Sequence, residues 1–301
     1  MYRFLIYISV FAIAFGCDSK KPSEEEILKK LSEKEDVSDA PAVDTEMING
    51  ILQQIPSPLE ISMLLKESGT KYDPTILNSA NNLPKYNTNY QKALNLGIYG
   101  TDLGYTNIYE RNQDGLEYMT SIKELADGLS IGQFFDVETI GRLATNSKNL
   151  DSLLLITTQN FNNINSYLQT QGRSNLSVLL LVGGWMEALH VTLKTADKNP
   201  GNTQLRDAIG EQQIVLESIN MLLTLYKDSD ANMARLAEDL QPLMDEYATI
   251  NIEVIKGEPT YEVIDGIMMI IDNSKSIVHI TDENIANIKN IVATIRGKII
   301  N

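Results

Sequence analysis

The sequence predicts a mainly α-helical fold: an irregular multi-helix bundle with a small β-hairpin or meander before the C-terminal helix. From Glu46 to about Ile250, apolar residues recur every three or four positions, which is the period of an amphipathic helix. Short β-branched and aliphatic runs follow Asn251, and turn-forming residues separate them. No fixed period repeats along the chain, so an array of helical repeats is not expected.

The predicted helices begin at capping residues and end at turn residues. Ser57-Pro58-Leu59-Glu60 is a capping box with proline at the start of a helix, which is expected to run from Leu59 to about Glu67. Asp73-Pro74 offers a second helix start, and Asn199-Pro200-Gly201 separates two later helices. The other helices are expected at 88–111, 114–129, 137–147, 150–170, 174–197, 203–227 and 231–250.

The last fifty residues change character twice. Four short strands are expected after Asn251, and Thr281-Asp282-Glu283 then begins a final helix. The strands are expected at 252–256, 261–264, 267–271 and 276–280. One side of the final helix carries Ile285, Ile288, Val292, Ile295 and Ile299. A β insertion therefore precedes a C-terminal helix that docks on the bundle.

The N-terminus has the layout of a secretory signal. Residues 4–15 form an uncharged apolar run behind Arg3, and Gly16 and Cys17 follow it. A transmembrane helix needs about 20 apolar residues, and this run is shorter. Ala14-Phe15-Gly16-Cys17 resembles the lipobox of bacterial lipoproteins, in which the cysteine thiol is acylated and becomes the new N-terminus. The resemblance covers residues 1–17 and implies lipidation at Cys17.

This resemblance divides the chain into three parts. Residues 1–16 are expected to be the lipoprotein signal peptide, and 17–45 the acylated cysteine and a flexible charged tether. Residues 46–301 are expected to form a single mainly helical domain with the β insertion at about 252–280. Asp18 favours inner-membrane retention in some bacteria, whereas Glu24 to Glu26 favour surface export in others. The membrane and leaflet therefore stay open.

Charge and cysteine content narrow the set of partners. The chain has 25 Lys and Arg against 40 Asp and Glu, which gives a net charge of −15. This excess argues against nucleic acid or anionic lipid headgroups as partners. Because Cys17 is the only cysteine, its lipidation would leave no thiol for a disulfide or a cysteine metal site. We expect partners to be the membrane, through the N-terminal lipid, and an unknown envelope protein or ligand.

Two patterns raise the question of a metal site. Glu187 and His190 have the Glu-x-x-His spacing of di-iron bundles, but the only other histidine, His279, has no matching glutamate. Asp228-Ser229-Asp230-Ala231-Asn232 copies the start of an EF-hand loop. The sixth position there is Met233 instead of the required glycine, so Asp230 is expected to cap a helix. We therefore predict no metal and no cofactor.

Small residues form a stripe on the helix expected at 88–111. Ala93, Gly97, Gly100 and Gly104 recur at spacings of four, three and four. Each glycine inside a helix costs roughly 1 kcal/mol relative to alanine, so the stripe suggests a structural gain. We predict close helix packing at Gly97, Gly100 and Gly104, with Gly184, beside Gly183 in another apolar helix, as a partner. A ligand channel is the alternative.

The same helix carries four tyrosines, Tyr90, Tyr99, Tyr105 and Tyr109. Tyrosines at such spacing usually pack in a core, but together they are a possible binding groove. No nucleophile elbow, phosphate loop or dinucleotide-binding glycine motif is present in the sequence. The expected function is a lipid-anchored envelope protein that serves as a binding or structural interaction module. An envelope hydrolase that uses acidic residues is the alternative, and no catalytic residue can be named.

Overall fold

The structure, a computed structural model, describes residues 64–135, 150–258, 260–264, 267–271 and 275–301. All of these residues belong to one compact unit, Ala40–Asn301. A second unit, Met1–Asp39, lies outside the described residues. The lipobox, the predicted tether and the helix expected at 137–147 also lie outside them. The helix predicted from Leu59 is described only at 64–67, where the chain is helical.

The prediction of a mainly α-helical fold is confirmed. Seven α-helices lie in the described residues: α1 (Asn89–Ile108), α2 (Asn112–Gly128), α3 (Leu150–Thr170), α4 (Ser174–Lys198), α5 (Thr203–Tyr226), α6 (Ala231–Tyr247) and α7 (Asp282–Ile300). Three short 3-10 helices, Pro74–Ile76, Ala80–Lys85 and Gly132–Phe135, connect or flank them. The predicted start at Asp73-Pro74 therefore leads into one turn of 3-10 helix instead of an α-helix.

Side-chain caps explain where several helices begin. The hydroxyls of Thr88 and Thr281 each accept the backbone N–H three residues later, which opens α1 and α7 with capping boxes. Asp230 accepts the backbone N–H groups of Asn232 and Met233 at the start of α6. The carboxylate in the EF-hand-like sequence is thus a helix cap, as predicted.

Helix α4 is the centre of the bundle. It packs against α1 along most of its length and also contacts α3, α5 and α7. Its length and composition would allow it to cross a membrane, but 94% of its most apolar window is buried inside the protein. The side chains of α4 accordingly form the middle of the core, with Val182, Met186 and Leu189 fully buried.

The contact between α1 and α4 depends on two glycines. A Cβ atom added to Gly97 would lie 2.0 Å from the carbonyl oxygen of Leu180, and one added to Gly183 would lie 1.9 Å from that of Leu94. The backbones therefore approach too closely for any side chain at either position. The hydroxyl of Thr101 strengthens the contact by donating to the carbonyl oxygen of Gly184 at 3.0 Å.

The predicted packing role of Gly100 is wrong. Gly100 is exposed, and a Cβ added there would meet no atom within 4 Å. The contact follows the four-residue row through Ala93, Gly97 and Thr101. Gly100 lies about 60° around the axis from Gly97, because successive helical residues are about 100° apart. Gly104 is half-buried, at the margin of this row.

The C-terminal strands form two antiparallel ladders instead of a three-stranded meander. The outer ladder pairs β1 (Asn251–Ile255) with β4 (Lys275–His279), and the inner ladder pairs β2 (Thr260–Ile264) with β3 (Ile267–Ile271). We call the four strands the hairpin arm. Half-buried Ile252 and Val278 attach its outer ladder to the helical core. The Val278 side chain fits against Gly210 of α5, where a Cβ would lie 2.2 Å from it.

Candidate functional site

Three charged side chains from three helices meet inside the bundle. Asp102 of α1 and Glu187 of α4 are fully buried, and Arg296 of α7 is 8% exposed. The guanidinium of Arg296 binds both carboxylate oxygens of Glu187, with Nε 2.5 Å from Oε2 and Nη2 2.7 Å from Oε1. Two parallel charge-assisted hydrogen bonds of this kind are the strongest pairing that these groups can make. Burial lowers the pKa of Arg296, but the charge and hydrogen bonds of Glu187 more than offset this and raise it overall.

The carboxyl group of Asp102 lies beside this ion pair. Burial raises the pKa of Asp102 well above its usual range, and the negative charge of Glu187 raises it further, whereas Arg296 lowers it. Hydrogen bonding between the Asp102 and Glu187 side chains also raises the pKa of Asp102. Among the described residues, Oδ1 of Asp102 receives no hydrogen bond from a donor. This is the situation expected of an oxygen that itself carries the proton.

The charges in this acid–arginine cluster (Asp102, Glu187 and Arg296) therefore balance. A neutral Asp102 leaves one negative and one positive charge, which are bound directly to each other. Burying an uncompensated charge would cost several kcal/mol, so protonation of Asp102 is the low-energy state. The backbone N–H of Asn78 donates to the second Asp102 oxygen, Oδ2, at 3.2 Å.

A shell of neutral polar side chains ties the cluster to the end of α7. The Asn78 amide donates to the hydroxyl of Tyr86 at 3.0 Å and to the side-chain oxygen of Asn95 at 3.3 Å. In turn, Asn95 donates to the carbonyl of Ile299 at 3.1 Å, and Tyr86 donates to that of Ile300 at 3.3 Å. These two carbonyls belong to the last helical turn, where the helix itself offers no donor. The shell therefore fixes the C-terminus of α7 in the core.

His190 belongs to the same buried region and is uncharged at neutral pH. Its Nε2 donates to the carbonyl oxygen of Ile76 at 3.1 Å, and Arg296 donates to the same oxygen at 3.4 Å. Burial lowers the pKa of His190 to about 4, and the nearby Arg296 acts in the same direction. Glu187 and His190 thus share a helix face, but their partners are a guanidinium and a carbonyl. No group of three metal-ligating side chains occurs among the described residues.

The acid–arginine cluster is isolated from solvent. Both carboxyl groups are 0% exposed; the guanidinium of Arg296 holds that of Glu187, and the backbone N–H of Asn78 donates to that of Asp102. An acid–base pair must come within hydrogen-bond reach of its substrate, which requires an opening. An open concavity of about 400 Å³ exists elsewhere, and its lining includes no member of the cluster. That concavity is lined by Lys123, Asp127, Ser130, Gly132 and Gln133.

The four tyrosines of α1 do not form an open groove. Tyr99 and Tyr105 are fully buried, so the prediction of a groove is wrong for these two. Tyr105 packs against Tyr109 and Tyr72, with ring centroids 4.9 and 5.4 Å apart. Tyr90 and Tyr109 are half-buried, and burial raises the pKa of each to about 12. The rings of Tyr99 and Tyr105 are therefore packing elements of the core.

The hairpin arm presents apolar side chains to solvent, whereas the acid–arginine cluster is buried. Val254, Ile255 and Ile277 are 58%, 49% and 41% exposed. The inner ladder continues the arm with the sequences TYEVI and IMMII, whose strands pair with each other. Exposed apolar residues grouped in this way mark a contact surface more often than isolated ones do.

The sequence contained a signal for the cluster that the motif analysis missed. Glu187 is the only charged residue between Arg173 and Lys194, in a stretch that is otherwise mostly apolar. Arg296 follows Ile295 on the buried side of α7. A charged residue at a core position requires a buried partner, so Glu187 and Arg296 each indicated a buried group of opposite charge. The Glu-x-x-His spacing of Glu187 and His190 matches a metal site, but it carries no information about the arginine that binds Glu187.

No protein-family model matches this chain, and no curated protein or solved structure is similar to it. Its function therefore has to be inferred from its own residues and their arrangement.

Proposed function

We propose that this chain is a lipid-anchored protein of the bacterial cell envelope and that its helical domain works as a binding or interaction module. The lipobox-like Ala14-Phe15-Gly16-Cys17 supports the anchor, because an acylated cysteine attaches the mature chain to a membrane. Export to the periplasmic face or the outer-membrane surface follows from the same signal.

The binding role is inferred from the exposed apolar side chains of the hairpin arm. Three large apolar side chains face solvent on one short ladder, Ile255 and Ile277 on one face and Val254 on the other. A two-stranded hairpin is marginally stable without a further strand or a packing partner. The arm has such support where Ile252 and Val278 meet the helical core, but not at these three exposed residues. Contact with a partner would cover them.

The hydrolase alternative has less support. Asp102 and Glu187 are the acid pair that such an enzyme would use, and the raised pKa of Asp102 suits a proton donor. Both groups are fully buried, however, and Arg296 holds the Glu187 carboxylate. A pair in this state favours a structural role in joining α1, α4 and α7.

The anchor is tested by replacing the thiol. The Cys17→Ser chain should remain unprocessed or become soluble, whereas the wild-type chain partitions into detergent and carries lipid at Cys17 by mass spectrometry. Equal membrane partitioning of both chains, with no lipid on Cys17, would contradict the anchor.

The binding role is tested by cross-linking in intact cells. A photo-reactive amino acid at Ile277 or Ile255 should give a discrete cross-linked product, which mass spectrometry then identifies. The same amino acid at Leu116, which is 62% exposed on α2, is the matched control. Identical products from the arm and from Leu116, or none from the arm, would argue against a contact surface there.

A further inference from the structure

The outer ladder of the hairpin arm has one face that points away from the helical core. Glu253 pairs with Ile277, and Ile255 pairs with Lys275. Paired and alternate residues of a ladder share a face, so these four side chains form a rectangle, and the Asn251–His279 pair continues the same face. The two isoleucines occupy one diagonal, and the two charged residues occupy the other. We call this rectangle the outer face of the arm.

The outer face is exposed and electrically balanced. Ile255 and Ile277 are 49% and 41% exposed, and the Glu253 side chain is 62% exposed. Glu253 and Lys275 contribute one charge of each sign, and Glu253 also lies 3.9 Å from Nε2 of His279 of its own chain. The whole chain, by contrast, has a net charge of −15. Two copies of so acidic a chain repel each other over most of their surfaces. They can approach most easily where the local charge is zero and the surface is apolar.

The pattern of the outer face is complementary to itself. Neighbouring strands are about 4.8 Å apart, and alternate residues along a strand are about 6.8 Å apart, so the four residues lie at the corners of a rectangle. A two-fold axis along the isoleucine diagonal would place each isoleucine against its own copy. The same axis would place Glu253 opposite Lys275 of the second copy, and Lys275 opposite Glu253. The strands of the two copies would cross steeply, as in orthogonal sheet packing.

We infer that the outer face of the hairpin arm is a homodimer contact, in which Ile255 and Ile277 of two copies pack together and Glu253 pairs with Lys275 across a two-fold axis. The inference rests on the proposed function, because it names a second copy as the partner of the arm. A shared membrane anchor would favour the contact, since it raises the effective concentration of one copy near another. Closed two-fold dimers are also the commonest form of self-association.

The test uses two full-length chains with different affinity tags, expressed together in the same cells. One tag is used for purification from solubilised membranes, and the recovery of the other tag is measured. Wild-type copies should co-purify. Ile277→Lys in both copies should lower the recovery roughly tenfold or more, because it buries two extra charges at the contact. Leu116→Lys, at an exposed leucine on α2, should leave the recovery unchanged.

Charge exchange between copies makes the test specific. Glu253→Lys in both copies opposes like charges, and so does Lys275→Glu in both copies, so each should reduce recovery roughly tenfold. Co-expression of one Glu253→Lys copy with one Lys275→Glu copy restores both opposite-charge pairs across the axis. Recovery should then return to near the wild-type level. An interaction within a single chain cannot produce this rescue, because each copy still carries two like charges.

Two results would overturn the homodimer. One is recovery that Ile277→Lys does not change; the other is a mixed pair of charge variants that recovers no better than each variant alone. If the arm then cross-links to a different protein, the proposed function stands while the homodimer fails. If photo-cross-linking from the arm gives no product beyond those obtained from Leu116, both the proposed function and the homodimer are wrong. The contact could also disappear when the membrane is removed, while the charge variants behave like wild type. That result would indicate lipid as the occupant of the outer face and would also overturn the homodimer.

Discussion

Arg296 and Glu187 are joined inside the bundle by two hydrogen bonds of 2.5 and 2.7 Å, although 109 residues separate them in the chain. The pair links the C-terminal helix α7 to the central helix α4. Asp102 of α1 adds to the same contact a carboxyl group whose pKa burial raises well above its usual range. Three helices that meet mainly through apolar surfaces are thus fixed in one relative position by polar groups with defined geometry.

Removal of the arginine should destabilise the protein strongly. Arg296→Met leaves the Glu187 carboxylate buried without its partner, and breaking one side of a buried pair costs about 3–5 kcal/mol. The measurement is the free energy of unfolding from a denaturant curve. Lys298→Met is the matched control on the same helix, because Lys298 pairs with Asp239 at the surface, where its side chain is 56% exposed. That change should cost no more than about 1 kcal/mol. Equal effects of the two variants would contradict a structural role for the cluster.

Asp102 should make the protein less stable as the pH rises. Its pKa is raised in the folded state, so the folded chain binds a proton that the unfolded chain has already released above about pH 4. Stability from this group is therefore largest in acid, and it falls by about 1.4 kcal/mol per pH unit until the folded-state pKa is reached.

Asp102→Asn tests this sign. The amide can still donate to Glu187 and accept from Asn78, but it does not titrate. The variant should match wild type near pH 4 and become progressively more stable than wild type toward neutral pH. The measurement is the unfolding free energy of both chains at several pH values. A difference that does not change with pH would show that Asp102 is not protonated in the folded state.

His190 should act in the opposite pH direction. Its pKa falls from 6.5 to about 4 on folding, so the unfolded chain binds the proton first as the pH is lowered. The stability that His190 contributes is complete above pH 6.5 and is lost as the pH falls toward 4, at about 1.4 kcal/mol per pH unit. His190→Gln should therefore flatten the stability profile between pH 4 and 6.5. A metal ion that co-purifies with the wild-type chain and is lost in this variant would contradict the assignment of Ile76 as its partner.

Much of the fold could be predicted because its determinants are local. The caps at Asp230 and Thr281 and the three- and four-residue spacing of apolar residues act within one or two turns. Where the structure describes the chain, helix boundaries consequently lie within a few residues of those expected, except at Asp73, where the chain makes only one 3-10 turn. The pairing of β1 with β4 was not predicted, because strand pairing depends on contacts that sequence spacing does not specify.

The cluster could not be predicted from spacing for a similar reason. Asp102, Glu187 and Arg296 come from three helices, and only the packing of those helices brings them together. Forty acidic residues offer too many pairs for any one to be chosen from the sequence. For the tyrosines of α1, the sequence places them on one helix but does not predict which of them are exposed. Their spacing indicates a shared region of the helix, but burial of Tyr99 and Tyr105 depends on which neighbours cover that region.

Replacement by alanine should change the stability with opposite signs at Gly97 and Gly100 of α1. At Gly97, a methyl group would lie 2.0 Å from the Leu180 carbonyl oxygen, which belongs to the backbone and cannot move aside. Overpacking typically costs about 1–3 kcal/mol, which exceeds the roughly 1 kcal/mol that alanine gains as a helix former. Gly97→Ala should therefore lower the unfolding free energy.

At Gly100, only the gain in helix propensity remains, because no atom lies within 4 Å of the added methyl group. Gly100→Ala should raise the unfolding free energy by up to about 1 kcal/mol. The two variants make the same chemical change three residues apart, so each is a control for the other in one set of denaturation curves. A stabilising Gly97→Ala would show that the backbones of α1 and α4 are farther apart than the structure places them. A destabilising Gly100→Ala would instead show that another part of the molecule covers this face of α1.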